Sequence, residues 1–402
     1  MDPRKNPFNP GAGIPPTAFV GRADVLEVAE IAFDRTREGL FARDMLLLGL
    51  RGVGKTVLLN KLHALAKSKE LETIKFEVPD TSGDNLARLL VPAANTVLRR
   101  LDRMAAAEET LHRAGALLRN FAAIFKVKYE GFTFGASTPE IGADTGDLVA
   151  DLPEILLALA AAAQRRKTGV VLFLDEVQYL SKAELSALTH ACHEVAQTAA
   201  PFLFIGAGLP QLAALSGEAK SYAERLFSYM DVRALDHTAT ARALREAAKT
   251  QKADFTSEAT DLIFERTKGY PYFVQTWGKF AWDEAAASPI DAETVGKADL
   301  DALAHLDQSF FRVRFDRSSD YAKTYLRALA ELGPGPHASG KVAEVLGTKS
   351  SQVAAVRAGL IDAGMIFSPA HGQTQFTVPL FDDFMRRAMP ELKPYTPSRR
   401  KS

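Results

Sequence analysis

Met45-Leu46-Leu47-Leu48-Gly49-Leu50-Arg51-Gly52-Val53-Gly54-Lys55-Thr56-Val57 is a short apolar run that breaks at a glycine, turns through two more, and resumes with helical spacing. Four apolar residues ending at glycine read as a buried parallel strand. Glycines 49, 52 and 54 free the backbone to curl, so that its N–H groups converge on one point. The helix that follows adds its positive N-terminal end. Strand, Gly-x-x-x-x-Gly-Lys-Thr loop and helix together form a phosphate-binding P-loop. The cradle is Gly49, Leu50, Arg51, Gly52, Val53, Gly54, Lys55, Thr56 and Val57. Lys55 is placed to meet the outer phosphates of a nucleoside triphosphate, and the Thr56 hydroxyl to ligate Mg²⁺.

Outward from this motif, strands and helices alternate. Asp24 to Arg37 has the apolar spacing of an amphipathic helix, and Thr73 to Val78 alternates as a second strand. Val170 to Leu174 and Phe202 to Ile205 are two further buried strands, with helices before and between them (152–164 and 182–198). Val232 to Leu235 is the candidate fifth. The pattern predicts an α/β fold, a parallel P-loop NTPase sheet with helices on both faces. Residues 85–151 interrupt it as an insertion: two helices, then an alternating stretch (127–134) that reads as a hairpin. From Thr238 to about Arg317 only helical patterns occur. From Ser318 three helices and two short strands describe a winged helix.

The expected domains are an extended, poorly packed leader (1–16, with five prolines), the ATPase domain (17–236), a helical lid with connecting helix (237–317), the winged helix (318–390) and a basic tail (391–402).

Asp175 and Glu176 end the third strand. A carboxylate there holds Mg²⁺ through its water shell, the role expected of Asp175. Its neighbour polarises an attacking water, the role expected of Glu176.

Phe19-Val20-Gly21-Arg22, the P-loop, Asp175-Glu176, the helical region and the winged helix, in this order, resemble the Orc1-like branch of the AAA+ ATPases and its signal-transducing STAND relatives. The resemblance covers nearly the whole chain. It implies ATP and Mg²⁺ as ligands, with Val20, Gly21 and Arg22 near the adenine. It implies that Gly269-Tyr270-Pro271 opens a lid motif, with Pro271 close to the nucleotide. It places Arg225 roughly where the family has an arginine finger, a surface arginine being the alternative. Two features depart from the family: Gly206-Ala207-Gly208 stands where a polar sensor is usual, and Tyr272 where an arginine is frequent. Both departures point to slow or partner-stimulated hydrolysis.

Bulk properties narrow the partners. Lys+Arg and Asp+Glu both number 49, so the chain is not uniformly basic, though a local basic patch remains open. From Ser318 onward there are 11 basic and 7 acidic residues. The expected reading helix of the winged domain offers Lys349, Ser350, Ser351, Gln352 and Arg357 to duplex DNA; contact with a protein partner is the alternative. The single cysteine, Cys192, rules out an internal disulfide and fits a reducing cytoplasm. The most apolar stretch, Ile155 to Ala163, is too short to span a membrane. Three functions stay open: a DNA-associated ATPase, a STAND-like switch that forms nucleotide-dependent homo-oligomers, and a non-hydrolysing ATP-binding adaptor.

Overall fold

The structure is a computed structural model that describes residues 1–11, 13–80, 85–102, 109–129, 131, 142–219 and 223–392. The chain forms two compact units. One comprises residues 22–49 and 55–232, the other residues 1–21, 50–54 and 233–402.

The first unit carries, in chain order, α1 (Ala23–Arg37), β1 (Asp44–Leu48), α2 (Lys55–Ser68), β2 (Glu72–Glu77), α3 (Asn85–Asp102), α4 (Glu109–Ile124), α5 (Leu148–Gln164), β3 (Val170–Asp175), α6 (Lys182–Gln197), β4 (Phe202–Gly208), α7 (Leu212–Ala219), α8 (Ala223–Leu226) and β5 (Phe227–Asp231). The five strands form one sheet in the order β2-β3-β4-β1-β5, every pair parallel. β1, β3 and β4 are buried along their whole length, which explains their unbroken apolar sequence. Leu46, Leu48, Leu172 and Leu174 pack with the apolar faces of α3 to α6. Phe173, one residue out of phase, meets Phe33 of α1 and His63 of α2 on the other face. Each fully buried leucine in these strands contributes roughly 1.5–3 kcal/mol. The insertion helices α3 and α4 thus add to the core of the sheet.

Two strand bounds change. The fifth strand is Phe227–Asp231, five residues before Val232 to Leu235. It is an edge strand, buried fully only at Phe227, so its sequence lacks the apolar run that marks a central strand. Val232 still donates to Leu48 O, but the Leu235 amide turns to Gly269 O in the other unit's own residues. β4 continues past Ile205 through Gly206, Ala207 and Gly208. The hairpin expected over 127–134 lies mostly outside the described residues; its described residues, 127–129 and 131, are not strand.

The second unit holds α9 (His237–Lys249), α10 (Ser257–Thr267), α11 (Pro271–Glu284), α12 (Ala292–Leu306), one π-turn (307–311) and α13 (Arg312–Asp316). There follow α14 (Asp320–Glu331), β6 (His337–Ala338), α15 (Ser339–Val345), α16 (Ser350–Asp362), β7 (Ile366–Phe367), β8 (Gln373–Phe376) and α17 (Phe381–Ala388). The three short strands pair antiparallel in the order β6-β8-β7. Neither β6 nor α17 stood out in the sequence. Phe311 packs against Phe381 and Phe384, which fixes α17 to the π-turn.

The leader is not poorly packed. Phe8 is buried against Gly278 and Phe255, Asn6 donates to Asp283, and the Trp282 indole donates to the Asp2 carbonyl. Glycine at 278 leaves the room that the Phe8 ring occupies. Most of the described tail start (391–392) is followed by residues outside the description. Among the described residues no helix is long and apolar enough to cross a membrane.

One buried charge stands out in the first unit. Asp44 opens β1, where its carboxylate accepts from the Phe204 amide at 2.7 Å and from the Cys192 thiol. Burial outweighs these bonds and pushes its pKa up to about 7 from 3.8. The folded protein therefore holds a proton that the unfolded chain releases near pH 3.8. Stability from this group is complete below that value and is lost as pH rises through 7. Asp44→Asn keeps the acceptor for Phe204 without the titration. Its stability relative to wild type should rise by on the order of 1–4 kcal/mol between pH 5 and pH 8, read from thermal melts at both values. A difference that does not change with pH would contradict the shift.

Candidate nucleotide-binding site

Parallel strands bring their C-terminal ends to one edge, and crevices at such edges are where open α/β sheets bind ligands. β1 runs into the P-loop there. Gly52 and Gly54 have φ of 84° and 91°, the left-handed region that L side chains avoid. An added Cβ at Gly54 would meet nothing within 4 Å, so conformation and not crowding demands glycine at that point. Lys55, the first residue of α2, is buried at 6% exposure and its ammonium donates to the Gly49 carbonyl at 2.9 Å. A buried ammonium turned back over its own loop suits an anionic phosphate.

Thr56 lies next on α2. Its hydroxyl donates to the Asp175 carboxylate at 2.6 Å, across 119 residues of sequence. Hydroxyl and carboxylate oxygens are the donor set that Mg²⁺ takes from protein, so the pair fits the ion that accompanies a nucleoside triphosphate. Burial raises the Asp175 pKa above its ordinary value, and the neighbouring Glu176 charge adds to this. The Thr56 hydrogen bond and the Lys55 charge oppose the rise.

Glu176 has φ 54° and ψ 40°, a left-handed conformation rare outside glycine and asparagine. Its amide donates to the Asp175 carboxylate at 2.9 Å. The turn that follows, closed by Tyr179 N–H to Glu176 O at 3.0 Å, brings Gln178 back beside it. The Gln178 amide donates to the Glu176 carboxylate and accepts from the Leu209 amide at 3.1 Å.

The structure thus brings Gly49, Lys55, Thr56, Asp175 and Glu176 to one edge of the first unit. Two residues there escaped the sequence reading. Glu77 ends β2 in register with Asp175; burial first, then Asp175 and Glu176, raise its pKa. Gln178 is the other. Matching strand ends across a parallel sheet would have found Glu77. No sequence signal marks Gln178 beyond its place two residues after Glu176.

Arg22 caps α1 in the first unit, and its desolvation lowers its pKa. Arg225 is exposed on the four-residue helix α8, directly before β5. Val57 follows Thr56 on α2 of the first unit, whereas Val20, Gly21, residues 50–54 and Pro271 belong to the second unit. Gly21, at φ 72°, lies against Leu235 and Ala239. Gly269 also has a positive φ, and an added Cβ would stand 1.9 Å from the Leu235 carbonyl, so only glycine fits. Pro271 starts α11. Tyr270 packs on the loop at Gly52, and its hydroxyl donates to the Thr377 carbonyl at 3.1 Å. Tyr272 stacks on Phe310 with centroids 5.0 Å apart, an apolar use of the position where a lid arginine was sought. Arg357 of α16, expected to face DNA, instead donates to Thr374 and to the Gln373 carbonyl at 2.8 and 2.7 Å, bracing β8.

The comparisons agree with this geometry. Residues 18–205 match the AAA ATPase domain. The match supports an AAA+ family for the part of the chain that carries the P-loop, Asp175 and Glu176. Residues 308–385 match a domain of unknown function, DUF8462. No curated protein matches the sequence. Among solved structures, the Walker-type ATPase PABY2304 of Pyrococcus abyssi is similar over 92% of this chain and 96% of its own, at 17% identity and a TM-score of 0.57. That likeness shows a shared P-loop ATPase fold. Cdc6p of Pyrobaculum aerophilum (15% identity, 98% of this chain and 99% of that one, TM-score 0.47) and the RuvB branch migration motor of Thermotoga maritima (16%, 94% and 97%, 0.44) are looser matches.

Lys55→Ala, within the segment that matches the AAA ATPase domain, removes the buried ammonium. ATP affinity should fall by at least about tenfold, since a charge-assisted hydrogen bond is worth roughly 1.5–3 kcal/mol. Titration of a fluorescent ATP analogue tests this, and wild-type affinity would remove Lys55 from the phosphate site.

Proposed function

We propose that this chain binds ATP with Mg²⁺ and hydrolyses it slowly, as a nucleotide-controlled switch. The observation that carries the proposal is the Thr56–Asp175 hydrogen bond, which joins the P-loop helix to the acid pair. On this reading the loop amides of residues 50–56 hold the phosphates, and Lys55 balances charge on the outer two. Thr56 and Asp175 would hold Mg²⁺, which supplies charge neutralisation at the phosphate oxygens. Glu176 accepts a proton from the attacking water as its oxygen bonds to the γ-phosphorus. The bond to the bridging oxygen breaks, and ADP leaves with that electron pair. Val20, Gly21, Arg22 and Pro271 are the proposed surroundings of the adenine and lid.

Domain roles follow the same reading: ATPase domain 17–236, lid 237–317, winged helix 318–390 and tail 391–402. The engagement of Arg357 with β8 favours a protein-contact role for the winged helix over DNA reading.

Slow turnover is proposed because two usual sources of positive or polar help are absent from the positions expected for them. β4 ends in Gly206-Ala207-Gly208, and Tyr272 is stacked on Phe310. Arg225 is exposed and can serve a second copy of the chain, which makes hydrolysis depend on assembly.

Glu176→Gln should leave ATP affinity within about twofold of wild type and reduce single-turnover hydrolysis by roughly 10² or more, since the amide accepts no proton. Unchanged hydrolysis would remove Glu176 from the base role. Arg225→Ala should also spare affinity and lower turnover by on the order of 10³. Mixing the two variants should restore part of the activity, because one mixed interface then holds both groups intact. Normal turnover in Arg225→Ala alone would show that the arginine acts only as a surface charge.

A further inference from the structure

We propose that Gln178 is the positioning residue for Glu176, fixing its carboxylate and tying it to the end of β4 where the family's polar sensor is missing. The inference rests on the reading of Glu176 as the base.

The amide orientation is unambiguous. The Glu176 carboxylate can only accept, and the Leu209 N–H can only donate, so Nε2 faces the first and Oε1 the second. Both ends of the glutamine are therefore engaged, and its rotamer is set by two fixed partners. Three features build the arrangement. The left-handed backbone at Glu176, strained for a non-glycine residue, folds the chain so that residues 176 and 178 become neighbours. Residue 208 is glycine, and a Cβ there would lie 2.8 Å from Gln178 Oε1. Only a residue without a side chain leaves the amide its place. The Gly208 carbonyl in turn accepts from the Gly49 amide at 3.1 Å, the first residue of the P-loop.

A continuous path thus runs from the Glu176 carboxylate through Gln178 and the Gly208–Leu209 backbone to Gly49. A polar side chain on β4 would reach the site directly. Here β4 is bare at its end, and the polar group arrives from the turn after β3, meeting the β4 backbone instead. Gln178 touches neither water nor phosphate in this scheme. It acts through Glu176, by holding the carboxylate in one orientation.

Gln178→Glu separates this role from packing. A carboxylate at 178 still accepts from Leu209, but it has nothing to donate to Glu176 and repels it. kcat should fall about tenfold or more, with KM and the affinity for a fluorescent ATP analogue within about twofold of wild type. Gln178→Met, which removes both bonds, should lower kcat as well and leave KM within about twofold. Glu176→Gln is measured alongside. If it stays active, or if the wild type hydrolyses no ATP, the base reading fails and this inference with it. If it is inactive while both Gln178 variants keep wild-type kcat, this inference alone is overturned. Loss of ATP affinity or of melting temperature in both Gln178 variants assigns the residue a structural role and also overturns it.

Discussion

β4 lies between β1 and β3, paired in parallel with both, and the site depends on that arrangement. Leu48 stands beside Gly208 in one pairing and Leu174 beside Gly206 in the other. The registers bring three strand ends to a common edge, although they come from residues near 49, 175 and 208. The Gly49 amide then bonds the Gly208 carbonyl, so the first turn of the P-loop continues the ladder of the sheet. A slip of one residue would turn every side chain of a strand to the opposite face. The apolar strands cannot tolerate that, since Leu46 and Leu172 belong to one helical layer and Phe173 to the other. Core packing therefore fixes the register, and the register fixes the spacing at which Thr56 meets Asp175.

The electrostatics of the edge follow from the same geometry. Glu77, Asp175 and Glu176 converge because β2 and β3 end in register. Burial first raises the pKa of Glu77 and Asp175; the charges of Asp175 and Glu176 add to it at Glu77, and that of Glu176 adds to it at Asp175. Lys55 and the Thr56 hydroxyl oppose that rise at Asp175.

The second unit is organised around aromatic side chains. Phe310 meets Tyr272, Phe273 and Phe311, and Phe311 continues to Phe381 and Phe384. Through these rings the π-turn after α12, the start of α11 and the last helix α17 share one core. The Tyr270 hydroxyl adds a bond to the Thr377 carbonyl just after β8. Tyr272 is part of this stack, which accounts for an aromatic residue at a place where a charged one was sought. The N-terminal leader is held the same way, by Phe8 seated over Gly278.

The sequence by itself determined the P-loop, the central strands and the acid pair. Each is a local signal: glycines at fixed spacing, unbroken apolar runs, and two carboxylates at a strand end, all readable without knowing any neighbour. Most of the longer helices were legible too, because their periodicity is local, but α17 was not. The edge strand β5 was misplaced, since half-buried residues carry no continuous apolar run. The leader was misread because proline and glycine describe backbone preference, whereas its order comes from Phe8 finding a pocket some 270 residues away in sequence. Only the tertiary structure decided what Arg357, Tyr272, Glu77 and Gln178 do. Their roles depend on partners brought close by strand register and helix packing, and a residue's type says which bonds it can make but not which neighbours will be there to make them.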